Sequence, residues 1–284
     1  MKIGPYTLTA IETGYLSLDG GAMFGTVPKI LWEKQQPADE KNRIRLAMRA
    51  LLIEGEGRRI LVDCGLGDKG DARFREMFAV DQSTHSLRAS LAARGLSTDD
   101  ITDVVLTHLH FDHAGAATTK DAHEGSYLPT FANATYHLQE KNLATAKAPN
   151  ARERASYLPE IYRALVDQKR LRLAKGNETL FPGIELWVSN GHTEAQQHVV
   201  VTDHETSLFY GGDLIPMTSH VPLPWIMGYD LRPLVMLEEK ERLLSRMKQE
   251  RWVLFYEHDP LVQASTVVDG KRDFAPGEAV DISS

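Results

Sequence analysis

Three imidazoles and one carboxylate fall within six consecutive positions: His108, His110, Asp112 and His113, directly behind the apolar run Val104-Val105-Leu106-Thr107. No other feature constrains the chain as much. The run reads as a short buried strand. Side chains two apart on an extended backbone project to the same side, so His108 and His110 face together. A turn toward a helix then presents Asp112 and His113 from another direction. One segment thereby aims two ligands at one ion and two at a neighbour, and mixed imidazole and carboxylate donors suit zinc, and also iron or manganese.

The rest of the chain reads as strands with helices between them. Strands are expected over 44–54, 59–63, 135–139, 185–189, 198–203, 207–211 and 252–257, from short β-rich runs bounded by turn residues. A helix is expected near 83–94, capped by Ser83 or Thr84, with Leu87 and Leu91 four apart and Gly95 as its stop. A second starts at Pro233 and runs to about 248, with Leu237, Leu244 and Met247 on one stripe. The segment 151–165 reads as an ordinary solvated helix, and the tail after Asp269 as a loop or frayed end. Several strands, a mixed α/β stretch, several strands, then helix and strand make an α/β protein with packed sheets and outer helices. The chain is expected to form one unit over 1–284, because the candidate ligands are scattered along most of it.

Composition narrows the function. Lys and Arg number 32 against 39 Asp and Glu, a formal charge of −7, so a broad basic face for nucleic acid is not expected. There are eleven histidines and one cysteine, which excludes an internal disulfide and a thiolate-rich zinc site. Cys64 reads as a small buried residue. The N-terminal GPYTLTAIETG alternates like a strand rather than a signal peptide, and no apolar run reaches the ~18 residues of a membrane span. A cytoplasmic protein, off the membrane, is the expectation.

The segment His108-x-His110-x-Asp112-His113 resembles the HxHxDH motif of the metallo-β-lactamase superfamily. Further segments extend the resemblance over roughly residues 45 to 260: Gly191-His192-Thr193, Gly212-Asp213, and His258 within Glu257-His258-Asp259. It implies a four-layer αββα sandwich with two divalent ions, zinc foremost, with iron, manganese or cobalt as alternatives. His108, His110 and His192 would hold one ion, Asp112, His113 and His258 the other, and Asp213 would bridge them. Asp63 matches a buried aspartate that orients a ligand histidine. The implied chemistry is hydrolysis by a hydroxide shared between the ions, with Asp112 able to shuttle a proton.

Among subfamilies the chain is most similar to N-acyl homoserine lactonases and methyl-parathion-type organophosphate hydrolases. Asp213 stands where the β-lactamases proper carry Cys or Ser, and His110 where flavodiiron oxidoreductases carry Glu. A lactone, related ester or phosphotriester is therefore the implied substrate. Two departures bear on it: Pro216 stands where the lactonases place a tyrosine, and Glu194-Ala195-Gln196 replaces their Pro-Gly-His. Met23 and Phe24 on a Gly-rich loop at 18–29, Phe111, His220, and Trp225 and Tyr229 in the segment 222–230 are expected to wall the pocket. His85, His123, His137, His198 and His204 read as surface or satisfied core residues. Two other functions remain open: a mononuclear iron enzyme of the persulfide dioxygenase type, and a ligand-binding sensor without turnover. A homodimer is a further expectation.

Overall fold

The computed structural model describes residues 1–121 and 125–282; His123 lies outside them. Two seven-stranded sheets face each other. The first contains β1 (Lys2–Ile3), β2 (Tyr6–Asp19), β3 (Arg43–Gly55), β4 (Arg58–Val62), β5 (Asp103–Val105), β8 (Thr135–Gln139) and β9 (Leu171–Ala174), in that spatial order. Between β5 and β8 in the chain, β6 (Thr118–Lys120) and β7 (Tyr127–Pro129) form a separate hairpin. The second sheet runs in chain order through β10 (Glu178–Phe181), β11 (Ile184–Ser189), β12 (Gln196–Thr202), β13 (Ser207–Tyr210), β14 (Val253–Phe255), β15 (Ala264–Asp269) and β16 (Phe274–Val280). The helices are α1 (Gly20–Phe24), α2 (Lys29–Trp32), α3 (Ala72–Met77), α4 (Leu87–Ala92), α5 (Phe111–Ala114), α6 (Glu140–Lys147), α7 (Pro159–Asp167) and α8 (Pro233–Glu250).

Three apolar clusters fill three interlayer spaces, which defines the αββα layering. Leu51, Ile53, Val62 and Val105 of the first sheet meet Leu186, Val199, Tyr210 and Phe255 of the second. Outside the first sheet, Leu52, Leu61, Val104 and Tyr136 pack under Leu87 and Leu91 of α4 and Ile161 and Leu165 of α7. Outside the second, Val200, Phe209 and Leu254 pack under Met236, Leu244 and Met247 of α8. Strands β3 and β12 therefore bury both faces along most of their length, including the apolar run Val199-Val200-Val201 in β12.

Strands β4, β5, β8 and β9 are parallel, as are β13 and β14. Parallel neighbours need crossovers, and α3, α4, α6, α7 and α8 lie on them. The C-terminal ends of β4, β5, β13 and β14 lead into Asp63, the His108–His113 segment, Asp213 and His258, and that of β11 leads to His192.

Four local expectations need correction. The tail is not frayed: β16 pairs with β15 from Val280 to Phe274, an edge strand that its Pro and Gly disguised. Helix α4 starts later than expected, because Ser86 rather than Ser83 or Thr84 caps it by accepting from the Ala89 N–H. The segment 18–29 is not an open loop: it contains α1, capped by Asp19. The buried stripe of α8 is Met236, Lys240, Leu243, Leu244 and Met247, so a lysine stands inside it and Leu237 lies off its centre.

Candidate metal centre

The strand β5 ends at Val105, and the next eight residues are all buried, His110, Phe111 and Asp112 among them lining a cleft. His108 and His110 leave the extended backbone, then α5 turns Asp112 and His113 inward. His192 arrives from the loop after β11, Asp213 from the turn after β13, and His258 from the turn after β14. These seven residues make two of the three donor groups found among the described residues, the third being Asp63, His113 and Glu257. His108, His110, His192 and Asp213 each place a ligand atom within 4.8 Å of the others, and Asp112, His113 and His258 do the same. Asp213 reaches both groups: its Oδ2 lies 3.1 Å from His192 Nε2 and 3.3 Å from His113 Nε2, and its Oδ1 lies 3.1 Å from His258 Nε2.

The spacing of the nitrogens fits metal ions. Two imidazole nitrogens about 2.05 Å from one tetrahedral ion stand roughly 3.3 Å apart. His110 Nδ1 and His192 Nε2 are separated by 3.3 Å, and His113 Nε2 and His258 Nε2 by 3.2 Å. The far nitrogens fix which atom faces the centre. His258 Nδ1 donates to the Ala47 carbonyl at 2.8 Å, and His192 Nδ1 to Asp230 Oδ1 at 3.0 Å. Thr107 Oγ1 gives its one hydrogen to Asp63, so it accepts from His108 Nδ1 at 3.0 Å. His108 Nε2 is then left buried and without a hydrogen-bond partner, aimed at the centre. A buried nitrogen without a partner is costly unless an ion meets it.

His113 has the strongest backing. Its Nδ1 lies 3.2 Å from Asp63 Oδ2 and 2.9 Å from Glu257 Oε2, both fully buried. Asp63 adopts φ +54, a left-handed conformation that aspartate tolerates better than most residues. That turn lets one carboxylate accept from the Thr107 N–H, the Thr107 hydroxyl and His113 together.

The ion-free electrostatics follow from these contacts. Burial and the neighbouring imidazoles hold His108 and His110 well below the usual histidine range. Burial also opposes charge on His113, yet Glu257, Asp213 and Asp112 hold it well above that range. The same contest, won by Asp213 and Asp230, places His192 at about 10. Burial disfavours the Asp213 carboxylate, but His113 and His192 hold it well below the usual acid range. Burial, with the Asp63 charge adding, pushes Glu257 up to about 8 against the pull of His113.

This cleft has a volume of about 390 Å³. Met23, Phe111 and Tyr229 line it as expected, and so do Phe74, Met77 and Phe78 from α3 and the residue after it. Phe111 sits with its ring 5.1 Å from Phe74 and 5.4 Å from Phe78. The segment before α7 adds Arg152, Glu153 and Ser156 to the wall, so the first part of 151–165 is not merely a solvated helix. Three pocket expectations fail. Phe24, His220 and Trp225 do not line the cleft. Phe24 instead stacks on Trp32 at 5.3 Å and on His220 at 4.8 Å, with Trp225 edge-on at 5.7 Å. His220 Nε2 donates to the Met23 carbonyl at 2.8 Å, and burial pushes its pKa down to about 3, so it is a neutral packing residue behind the wall. Cys64 is buried as expected, with its thiol pushed up by burial.

The profile of the metallo-beta-lactamase superfamily matches residues 49–258, and the chain belongs to that superfamily. It is 23% identical over 228 residues to N-acyl homoserine lactonase AiiA of Bacillus thuringiensis subsp. kurstaki, covering 76% of this chain and 82% of that protein. Among solved structures it is similar to a probable metal-dependent hydrolase from Staphylococcus aureus, with 30% identity and a TM-score of 0.88 over 99% of this chain and 100% of the other. AidC, described as a dizinc quorum-quenching lactonase, gives a TM-score of 0.79 at 21% identity, over 99% of this chain and 96% of that one. The hydrolase AbOPH gives 0.79 at 17% identity, over 99% and 97%. Among the described residues no helix is long and apolar enough to cross a membrane.

Proposed function

We propose that this chain is a dinuclear metal-dependent hydrolase of lactones and related neutral esters, with phosphotriesters as secondary substrates. The observation that carries the reading is the apolar cleft lined by His110, Asp112, His192, Asp213 and His258, five of the seven buried candidate donors. An apolar wall favours a neutral substrate with a hydrocarbon portion. The lactonase and hydrolase relatives support the same class. We also infer that the chain folds as one unit, because each donor group draws on both sheets.

His108, His110 and His192 would hold one ion, Asp112, His113 and His258 the other, and Asp213 would join them. Nitrogen and oxygen donors alone suit zinc foremost, then iron, manganese or cobalt. Bound there, two divalent ions supply Lewis-acid polarisation of the substrate oxygen and activation of water near neutral pH. The chain's own residues do the rest. The wall of Met23, Phe111 and Tyr229 excludes bulk water and holds the acyl portion. Asp63, Glu257 and Asp230 keep the ligand imidazoles in one orientation. Asp112 faces both the cleft and the second donor group, where its carboxylate takes a proton from water and returns it to the leaving oxygen.

The test is metal analysis of purified protein together with rates on acyl lactones, aryl esters and phosphotriesters. About two equivalents of metal and a preference for lactones or esters are expected. One iron per chain with oxygen consumption on a persulfide would overturn the reading, as would tight ligand binding without turnover. His110→Ala should abolish hydrolysis; a variant at full rate would also overturn it.

A further inference from the structure

Helix α8 carries two adjacent residues of opposite charge, Glu239 and Lys240, that reach two different loops of the site. Lys240 is fully buried within the apolar stripe. A lysine there keeps its stem among hydrocarbon neighbours but needs acceptors for its three N–H groups. It finds the backbone carbonyls of Pro222 at 2.7 Å, Trp225 at 2.9 Å and Leu223 at 3.3 Å. All three belong to the segment 222–230, which sends Met227 and Tyr229 to the cleft wall.

Glu239 faces the other loop. Its carboxylate accepts the N–H of Asn190 at 2.9 and 3.0 Å and the N–H of Gly191 at 2.9 Å, just before His192. The loop lies hard against the helix: a Cβ on Gly191 would stand 2.5 Å from Met236 Cα, so only glycine permits the approach. At the start of α8, Arg232 Nη1 donates to the Asn190 carbonyl at 2.8 Å, and its backbone N–H to the Gly191 carbonyl at 2.9 Å.

We propose that Glu239 and Lys240 are positioning residues with separate duties: Glu239 sets the loop that carries His192 into the metal centre, and Lys240 sets the wall of the substrate cleft. The polarity is matched, since one loop offers N–H groups and the other carbonyls, and a buried backbone group left unpaired is expensive. The loops meet at Asp230 and His192, but that junction has its own anchors. Asp230 Oδ2 accepts the Met227 N–H at 2.8 Å, and the Leu231 N–H donates to the His192 carbonyl at 3.1 Å. The duty given to Lys240 rests on the hydrolase reading for what the cleft binds.

Amide hydrogen exchange on zinc-loaded protein separates the two duties, alongside kinetics and metal analysis. Lys240→Met should speed exchange over 222–231 and raise KM about tenfold with kcat near wild type and both metal equivalents kept. Glu239→Gln should speed exchange over 190–193 and let a chelator remove one equivalent roughly tenfold faster, with KM unchanged. If Lys240→Met does not fold, Lys240→Gln keeps an amide donor and should show the same localised exchange. Variants that loosen both loops alike, or that exchange as wild type, overturn the proposal. A chain that hydrolysed no ester would remove the hydrolase reading while the localised exchange pattern stood, so the two failures are distinguishable.

Discussion

The cleft sets a quantitative expectation for substrate choice. Its volume is about 390 Å³. At about 30 Å³ per water-sized occupant this is room for roughly thirteen non-hydrogen atoms, of which a small lactone head takes about seven and leaves about six for an acyl chain. Each methylene moved from water onto the wall of Phe74, Phe78 and Phe111 contributes at most about 0.8 kcal/mol, close to fourfold in kcat/KM. Ordering each new torsion offsets about half of that, so roughly twofold per methylene is the lower bound. The perturbation is a series of straight-chain acyl lactones from acetyl to decanoyl, assayed with zinc-loaded protein at one pH. The expected profile climbs by about two- to fourfold per carbon and flattens near a six-carbon chain. Phe111→Ala should move the plateau to longer chains, because its ring closes the space between Phe74 and Phe78. A flat profile from acetyl onward, or a preference for charged acyl groups, would refute the reasoning that this wall selects the substrate.

Three further outcomes are expected. Glu257→Gln should speed about tenfold the loss of an ion that Asp112, His113 and His258 would hold, read by timed chelation and metal analysis; an unchanged rate would show that Asp63 alone orients His113. Despite burial, Asp213 and Asp230 hold His192 at about 10 and Glu257 and Asp213 hold His113 high, so the metal-free protein carries protons there at neutral pH that an ion displaces. Metal binding at pH 7 should therefore release protons, and affinity should rise with pH toward 10; calorimetry in two buffers of different ionisation enthalpy checks this, and no release would contradict it. Gly191→Ala should destabilise the fold by about 1–3 kcal/mol in denaturant unfolding, because the added methyl meets the α8 backbone, and an unchanged midpoint would show that the loop gives way freely.

The residues that gather as candidate metal donors were legible because their chemistry is written in residue type and short spacing. His108 to His113 announce themselves within one turn of chain, and His192, Asp213 and His258 each follow a readable strand. The partners behind them were not legible. Glu257 sits beside His258 in sequence, but nothing in Glu257-His258-Asp259 says that it turns back to His113. Asp230 reaches His192 across 38 residues, and Lys240 looks like one more charge on a helix until its three carbonyls are seen. Pocket walls were the weakest inference. Aromatic residues are written the same way whether they face a cavity or one another, so Phe24, His220 and Trp225 were expected at the cleft and form a stack behind it. Beside Met23, Phe111 and Tyr229, the rest of the wall includes residues of α3, a short helix inside a Gly-rich stretch with no buried residue of its own.

The parting of the ligands between the two sheets has a consequence for how the molecule holds together. His108, His110, Asp112 and His113 follow the first sheet; His192, Asp213 and His258 follow the second. Each donor group contains members from both. Neither sheet supplies a complete donor group alone, so an ion seated there would act as a rivet through the mouth of the sandwich. Chain fragments separated near residue 176, between the two sheets, should reassociate more tightly with metal than without it, which makes the same ions that would perform the chemistry a fastening between the halves.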